Sequence, residues 1–180
     1  ITGEGNYTGT KSDTYTITAV AATAPTLTPY SGTYDGALHG IGVGSYSGGT
    51  LEYSENGTTG WTTAPIEKSN VGTYTVYVRV LGDSNHGDSE VVSSTITITA
   101  KSITGSNITL TLDPTSMAYT GGERIPSVTV HDEDRDVDLV ADTDYTITYP
   151  ADTVNVGEKT ITITGEGNYT GTKSDTYTIT

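Results

Sequence analysis

The chain begins and ends with the same eighteen-residue segment, ITGEGNYTGTKSDTYTIT, at residues 1–18 and 163–180. The two copies start 162 positions apart, at residues 1 and 163. Identity over such a length does not arise by chance, and a fixed long period is the sequence signature of a repeat array. We therefore expect a 162-residue repeating unit, with residues 1–18 as an overhang that carries the C-terminal hairpin of a preceding repeat.

A weaker repeat lies inside this unit. The motif Asn-Val-Gly occurs at residues 70–72 and again at residues 155–157, which is a spacing of 85 positions. Each copy precedes a turn rich in glycine and asparagine and then a strand rich in threonine and isoleucine. A spacing of this length suits one small all-β domain. The sequence therefore predicts two related modules, residues 19–100 and residues 101–180, joined by short linkers.

Alternation of apolar and polar residues predicts strands rather than helices. Apolar side chains recur at every second position in several segments, and this period of two is typical of a strand with one buried face. One apolar and one polar face fits antiparallel sheets that pack as a sandwich. We predict an all-β fold of tandem antiparallel β-sandwich modules in a linear array. The alternating sets include Tyr74, Val76, Val78 and Val80, and Ile108, Leu110 and Leu112.

The charge balance excludes several classes of partner. The chain has 22 acidic and 8 basic residues and a formal net charge of −14. A negative field repels nucleic acids and anionic membrane surfaces, so we expect neither as a partner. No apolar run reaches the roughly 18 residues that membrane insertion needs. The absence of cysteine excludes disulfides and thiolate zinc sites. Since no nucleophile, general base or phosphate loop can be assigned, we expect no enzymatic activity.

An acidic run, HDEDRDVD at residues 131–138, is the clearest candidate for chemistry. Its alternating aspartates would project from one face of a plain strand and repel one another. One interpretation is a solvated hairpin tip centred on residues 133–135. The other is a calcium site, because Ca²⁺ binds several carboxylate oxygens, although the glycine and final glutamate of an EF-hand loop are missing. Calcium is the only cofactor that the sequence suggests, with Asp132, Asp134, Asp136 and Asp138 as its candidate ligands.

Two further features have competing interpretations. Trp61 and Tyr53 are candidates for a surface on which a sugar ring stacks, and the alternative is that they pack in the core. Lys101, at the start of the second predicted module, is a candidate for an intramolecular isopeptide bond. Such a bond needs an asparagine or aspartate and a catalytic acid buried beside the lysine, and a buried lysine without a partner is costly.

Several motifs together resemble a known family. Residues 70–76, Asn-Val-Gly-Thr-Tyr-Thr-Val, have the form of an immunoglobulin strand F whose Tyr74 makes a tyrosine corner, while Lys159 holds the corresponding place in the second module. The sequence also carries Tyr-Asp-Gly at residues 34–36 and Gly-Glu-Gly-Asn-Tyr-Thr-Gly at residues 165–171. With these motifs it resembles the Ig-like modules, of the Tyr-Asp-Gly type and its companion type, that are repeated in large bacterial surface proteins.

The resemblance implies a structural role. Such modules are spacers in extracellular adhesins and cell-wall proteins, so we expect a stalk or fibre segment at a bacterial cell surface. Its expected partners are neighbouring identical repeats, with head-to-tail self-assembly if residues 1–18 of one chain replace residues 163–180 of another. The alternative that the same resemblance allows is a module that binds a glycan or a host protein. No catalytic residues come with the family.

Overall fold

The computed structural model describes residues 1–180, and all of its regular secondary structure is β-strand. No helix that could cross a membrane is present. We call residues 19–100 the first half and residues 101–180 the second half. The strands of the first half are β1 (Val20–Ala21), β2 (Leu27–Thr28), β3 (Tyr30–Thr33), β4 (Gly42–Val43), β5 (Gly49–Ser54), β6 (Gly72–Gly82), β7 (His86–Gly87) and β8 (Val92–Thr99). Those of the second half are β9 (Lys101–Ser102), β10 (Ile108–Asp113), β11 (Ser116–Met117), β12 (Ser127–Asp132), β13 (Val137–Asp138), β14 (Tyr145–Thr148), β15 (Gly157–Gly165), β16 (Tyr169–Thr170) and β17 (Thr172–Ile179).

The two halves have the same strand arrangement. The first half contains a four-stranded sheet in the order β3-β8-β6-β5, and the second half a four-stranded sheet in the order β11-β17-β15-β14. A smaller sheet accompanies each, formed by β2 and β4 in the first half and by β10, β12 and β13 in the second. A short two-stranded pair, β1 with β7 or β9 with β16, completes each half. No strand pairing joins the two halves.

Most strand pairs are antiparallel, as the sequence predicts, but each four-stranded sheet also contains one parallel pair that the prediction lacks. In each four-stranded sheet the strand that comes first along the chain pairs in parallel with the one that comes last, β3 with β8 and β11 with β17. The short pairs β1–β7 and β16–β9 are also parallel. Parallel partners need a long crossover connection, and here almost the whole length of a half separates them along the chain. The chain passes through the other sheet before it returns in the same direction.

The alternating residues form the core, as the sequence predicts. Val76, Val78 and Val80 on β6 are fully buried, and β6 pairs with β8, which contributes Ile96 and Ile98 to the same cluster. In the second half β10 packs across β17, and their apolar faces meet. Burial of these aliphatic side chains supplies the main driving force for both halves, at about 25 cal/mol per Å² of apolar surface.

Tyr74 makes the tyrosine corner that its sequence context predicts. Its hydroxyl donates to the backbone carbonyls of Asn70 at 3.1 Å and Val71 at 3.3 Å, and so ties the loop before β6 to the strand. In the second half Lys159 donates instead to Asp152 Oδ2 at 2.8 Å. The two halves therefore close the same loop with different chemistry.

The two copies of the eighteen-residue segment adopt different structures. Both make the same turn, because Gly3 donates to Gly9 O at 2.8 Å as Gly165 donates to Gly171 O at 2.9 Å. In residues 163–180 the segment continues as β16 and β17, and Tyr169 is 2% exposed. In residues 1–18 the equivalent Tyr7 is 79% exposed, and the only strand-like pairing is the bridge between Thr2 and Thr10. The first copy does not pack against the first half.

We expect the substitution Tyr74→Phe to lower the free energy of unfolding by about 1 kcal/mol, because it removes only the hydroxyl and its hydrogen bonds to the loop. Urea denaturation followed by fluorescence measures the change. Tyr77→Phe, on the same strand, is the matched control, since the Tyr77 hydroxyl makes no hydrogen bond within the chain. An equal decrease in the free energy of unfolding for both variants would contradict a stabilising role for the Tyr74 hydroxyl.

Candidate functional site

The polar residues of this chain converge where the two halves meet. Only Ala100 separates the last strand of the first half, β8, from the first strand of the second half, β9. Beside this crossing, the hairpin between β12 and β13 and the strand β16 face the turn after β3 and the loop before β6. We call this region the junction.

A buried ion pair lies at the centre of the junction. Lys101 Nζ lies 2.6 Å from Asp132 Oδ1 and 2.8 Å from Asp134 Oδ2. Asp132 is completely buried and Lys101 is 7% exposed. Asp132 also accepts hydrogen bonds from the Tyr169 hydroxyl at 2.9 Å and from the Asp134 amide at 3.1 Å. Both oxygens of the buried carboxylate therefore have donors, which is the condition under which a charge tolerates burial.

The electrostatics of the junction favour the ionised forms of Lys101 and Asp134. Burial opposes charge on Lys101, but the hydrogen bonds and charges of Asp132 and Asp134 raise its pKa above the usual value. The hydrogen bond from Lys101, supported by one from Asn107, in turn holds the pKa of Asp134 below its usual value. Lys101 therefore lies in an ion pair with Asp132 and Asp134, and an isopeptide bond at Lys101 stays a prediction.

An aromatic and guanidinium stack connects the ion pair to the first half. Arg135 Nη1 donates to the Tyr169 hydroxyl at 2.7 Å, and its guanidinium lies 4.9 Å from the centre of the Tyr34 ring. The rings of Tyr34 and Tyr169 meet edge to face at 5.6 Å. Gly36 has a φ of 80°, and a Cβ there would lie 2.7 Å from Arg135 Nε. The backbone angle thus favours glycine at this turn, and a side chain there would displace the Arg135 guanidinium from its place over Tyr34.

A second contact between the halves uses one asparagine side chain. Asn168 Nδ2 donates to Asn70 Oδ1 at 3.1 Å, and Asn168 Oδ1 accepts from the Val71 amide at 2.9 Å. We call this pair of hydrogen bonds the asparagine clasp. It satisfies both ends of the Asn168 amide and joins the turn before β16 to the loop before β6.

The four candidate calcium ligands do not converge. Asp132 and Asp134 surround the Lys101 ammonium, whereas Asp136 is exposed at a φ of 52° and Asp138 accepts from His131 Nδ1 at 2.8 Å. The structure contains no cluster of three or more side chains placed to hold a metal ion. Calcium binding by these residues stays a prediction. The hairpin tip predicted for residues 133–135 is present, but Asp132 is buried and Arg135 belongs to the junction.

The two aromatic candidates for ligand binding are separated by burial. Tyr53 lies in the core of the first half on β5. Trp61 is half-buried, outside the core, with the Arg79 guanidinium 4.4 Å from its ring centre. Arg79 in turn donates to Glu52 Oε2 at 2.9 Å. The structure thus brings Trp61 to an arginine rather than to a second aromatic ring, and the expectation that it packs in the core is wrong.

A polar cleft of about 480 Å³ opens beside the ion pair. Its two cationic residues, Lys101 and Arg135, are already engaged with Asp132, Asp134 and Tyr169. Neither cationic side chain is therefore free to bind a ligand in the cleft, which lies at the edge of the junction. Its lining consists of Thr33, Tyr34, Asp35, Lys101, Ser102, Thr104, Gly105, Asn107, Asp134 and Arg135.

Sequence reasoning missed most of the junction. The sequence singles out Lys101 and the run of four aspartates separately, and nothing in it pairs Lys101 with Asp132 or gives Asn168 a role outside its turn. The one feature of the sequence that could have indicated the ion pair is that Lys101 and the acidic run at residues 131–138 both lie in the second half. Nothing in the sequence indicated that Tyr34 and Arg135 meet.

Comparisons with known proteins add little to this description. No protein-family model matches the sequence, and no curated protein matches it. Among solved structures the chain is similar to the protocadherin gammaB7 EC3-6 cis-dimer structure, with 12% sequence identity and a TM-score of 0.30. The alignment covers 87% of this chain and 47% of that one, so the chain spans about half the length of that structure.

We expect Lys101→Met to destabilise the chain by about 3 kcal/mol, because it leaves the Asp132 carboxylate buried without its counter-ion. The double variant Lys101→Met with Asp132→Asn is expected to recover part of the loss, since it also removes the buried charge. Chemical denaturation measures both variants.

Lys68→Met is the matched control for this substitution. Lys68 pairs with Glu55, whose side chain is 65% exposed, so its loss should cost less than about 1 kcal/mol. Equal destabilisation by Lys68→Met and Lys101→Met would contradict a special role for the buried pair.

His131 makes stability depend on pH. The hydrogen bond that His131 Nδ1 donates to Asp138, aided by the charges of Glu133, Asp138 and Asp136, raises the pKa of His131 above 6.5 despite some desolvation. The folded state therefore binds this proton more tightly than the unfolded state. The stabilisation is complete below pH 6.5 and is lost as the pH rises through the folded-state pKa. We expect His131→Gln to remove this part of the pH dependence in thermal melts. Parallel curves for both proteins would exclude the effect.

Proposed function

We propose that this chain is a structural spacer, a stalk or fibre segment of a bacterial extracellular adhesin or surface protein. It would consist of two Ig-like modules, residues 19–100 and 101–180, and would have no enzymatic role. The observation that carries the proposal is the junction, where a buried ion pair, an aromatic stack and the asparagine clasp hold the two halves against each other. A spacer needs such a fixed orientation, because flexible links shorten the reach of a chain.

The connection between the halves supports this role. With Ala100 alone between β8 and β9, the chain has no flexible linker at the crossing. The contacts of Tyr34, Asn70 and Val71 with the second half then restrict rotation about this short connection. Two halves with the same strand order are what duplication of a spacer unit produces.

The charge and the duplicated segment support a role in extended arrays. A net charge of −14 keeps parallel neighbours apart in solution. The partners we propose are identical repeats. Residues 1–18 are exposed. The identical residues 163–180 contribute four side chains to the core of the second half, Ile163, Tyr169, Tyr177 and Ile179. Exchange of the two segments between chains would preserve each contact, so head-to-tail assembly through this hairpin is part of the proposal.

The rival role is binding of a glycan or host protein. Half-buried Trp61 is the observation that favours it. A panel of glycans and matrix proteins separates the two roles. Binding that Trp61→Ala abolishes would support the rival, and a panel without binding supports the spacer.

We expect Asn168→Ala to loosen the junction. Small-angle X-ray scattering and negative-stain images of the parent chain should show one narrow distribution of lengths, whereas the variant should show a broader one because its halves lose two hydrogen bonds. Light scattering in parallel distinguishes monomers from filaments.

Asn6→Ala is an internal control for this experiment. Asn6 has the same sequence neighbours as Asn168 but lies in the exposed N-terminal copy. It should leave the length distribution unchanged. A parent chain that already shows a broad distribution would refute the spacer proposal.

A further inference from the structure

The surfaces that form the junction have structural counterparts at the other ends of the two halves. We call Val20, Asn85 and His86 the proximal face of the first half. The Val20 amide donates to Asn85 O at 3.4 Å, just as the Lys101 amide donates to Asn168 O at 3.0 Å. Val20 and Asn85 therefore hold the places in the first half that Lys101 and Asn168 hold in the second.

The opposite end of the second half matches in the same way. We call Tyr119, Asn155 and Val156 the distal face of the second half. The Tyr119 amide donates to Thr180 O at 2.7 Å, as the Tyr34 amide donates to Thr99 O at 2.8 Å. Gly36 and Gly121, two residues after these tyrosines, both have a φ of 80°. The sequence Asn155-Val156-Gly157 repeats the loop that receives the asparagine clasp.

The difference between the two ends is what covers them. Tyr34 is 9% exposed beneath the second half, whereas Tyr119 is 54% exposed. Val156 is 62% exposed, and its amide makes no hydrogen bond within the chain, whereas the Val71 amide donates to Asn168. A Cβ at Gly121 would meet only the Tyr119 hydroxyl, at 3.8 Å. The distal face has the groups of a junction without a partner.

We infer that the distal face of the second half binds the proximal face of the first half in another copy of the repeat. The occupant is a second copy because the first half already presents the required asparagine, Asn85, at the place of Asn168. Asn85 then donates to Asn155 Oδ1 and accepts from the Val156 amide. This inference rests on the proposed spacer function and specifies the partner that continues the array.

The second junction has a different chemistry. Val20 replaces Lys101, and His86 replaces Tyr169 opposite the exposed Tyr119 ring. The junction between repeats therefore has no lysine at the place of the buried ion pair and relies on the clasp and apolar contact. An array therefore alternates a junction with a buried ion pair within each repeat and a junction without one between repeats, where His86 Nδ1 lies 2.8 Å from Asp83 Oδ1.

The test uses the full chain extended before Ile1 by a copy of residues 101–162, so that residues 1–18 complete a second-type module ahead of residue 19. The chain has no cysteine, so spin labels can be placed at will. Thr50→Cys and Glu158→Cys, both exposed, report the existing junction in the original chain. Thr50→Cys with the same cysteine in the added copy of Glu158 reports the proposed junction in the extended chain. Electron-spin distance measurements give the width of each distance distribution.

We expect one narrow distribution for each pair. Asn85→Ala should broaden only the distribution across the proposed junction, and Asn168→Ala only that across the existing junction. A broad distribution at the proposed junction with a narrow one at the existing junction would overturn this inference and leave the spacer function standing. Broad distributions at both would overturn the two together, and a narrow distribution that Asn85→Ala leaves unchanged would refute the assigned role of Asn85.

Discussion

The rest of the junction depends on the compensation of one buried charge. Asp132 is completely enclosed at the end of β12, and such a carboxylate is stable only when donors surround it. Lys101, one residue beyond the crossing between the halves, supplies the opposite charge, and the Tyr169 hydroxyl occupies the other oxygen. Arg135 then donates to Tyr169 and lies over Tyr34 of the first half. The buried carboxylate of the second half is thus connected to the first half through the Tyr169 ring, the Arg135 guanidinium and the Tyr34 ring. The asparagine clasp adds two hydrogen bonds between the halves. The ion pair with Asp132 holds Lys101, and with it the crossing at Ala100, in place.

The two copies of the eighteen-residue segment show which of its structures form locally and which need the neighbouring strands. The turn is local, because Gly5 and Gly167 share a positive φ, at 67° and 61°, and both copies close the same backbone hydrogen bond. The strand that follows is not local. In residues 172–179 it pairs with β15 and buries its tyrosine and isoleucine side chains, whereas the same letters at residues 10–17 find no such neighbour. An isolated hairpin buries too little apolar surface to hold its strands together. The identical sequence thus gives the same turn twice and the same sheet only once.

Much of the fold follows from local pattern, and most of the site does not. Alternation on β6 and β10 predicts which side chains are buried, and Tyr74 forms its corner because the motif and the loop are adjacent in sequence. The parallel pairing of β3 with β8 joins residues 66 positions apart in the sequence, such as Tyr30 and Ile96 (96 − 30), and leaves no local signature. Asp132 and Asp134 are equivalent in the sequence pattern and both contact Lys101 on β9, yet Asp132 is completely buried whereas the Asp134 side chain is 59% exposed. The sequence also does not show that Tyr53 belongs to the core whereas Trp61 lies outside it beside Arg79.

The parallel pairing of the first and last strands of each four-stranded sheet affects how each half responds to tension along the chain. In the first half, Tyr30–Thr33 runs beside Ile96–Thr99 in the same direction. A pull on the two chain ends therefore draws these strands past each other along their length. All the hydrogen bonds between them are loaded together in shear, whereas an antiparallel terminal pair would open one bond at a time from its end. β11 and β17 repeat this geometry in the second half, over a shorter register. The parallel pairs β3–β8 and β11–β17 are thus the contacts that distribute a pulling force over several hydrogen bonds at once.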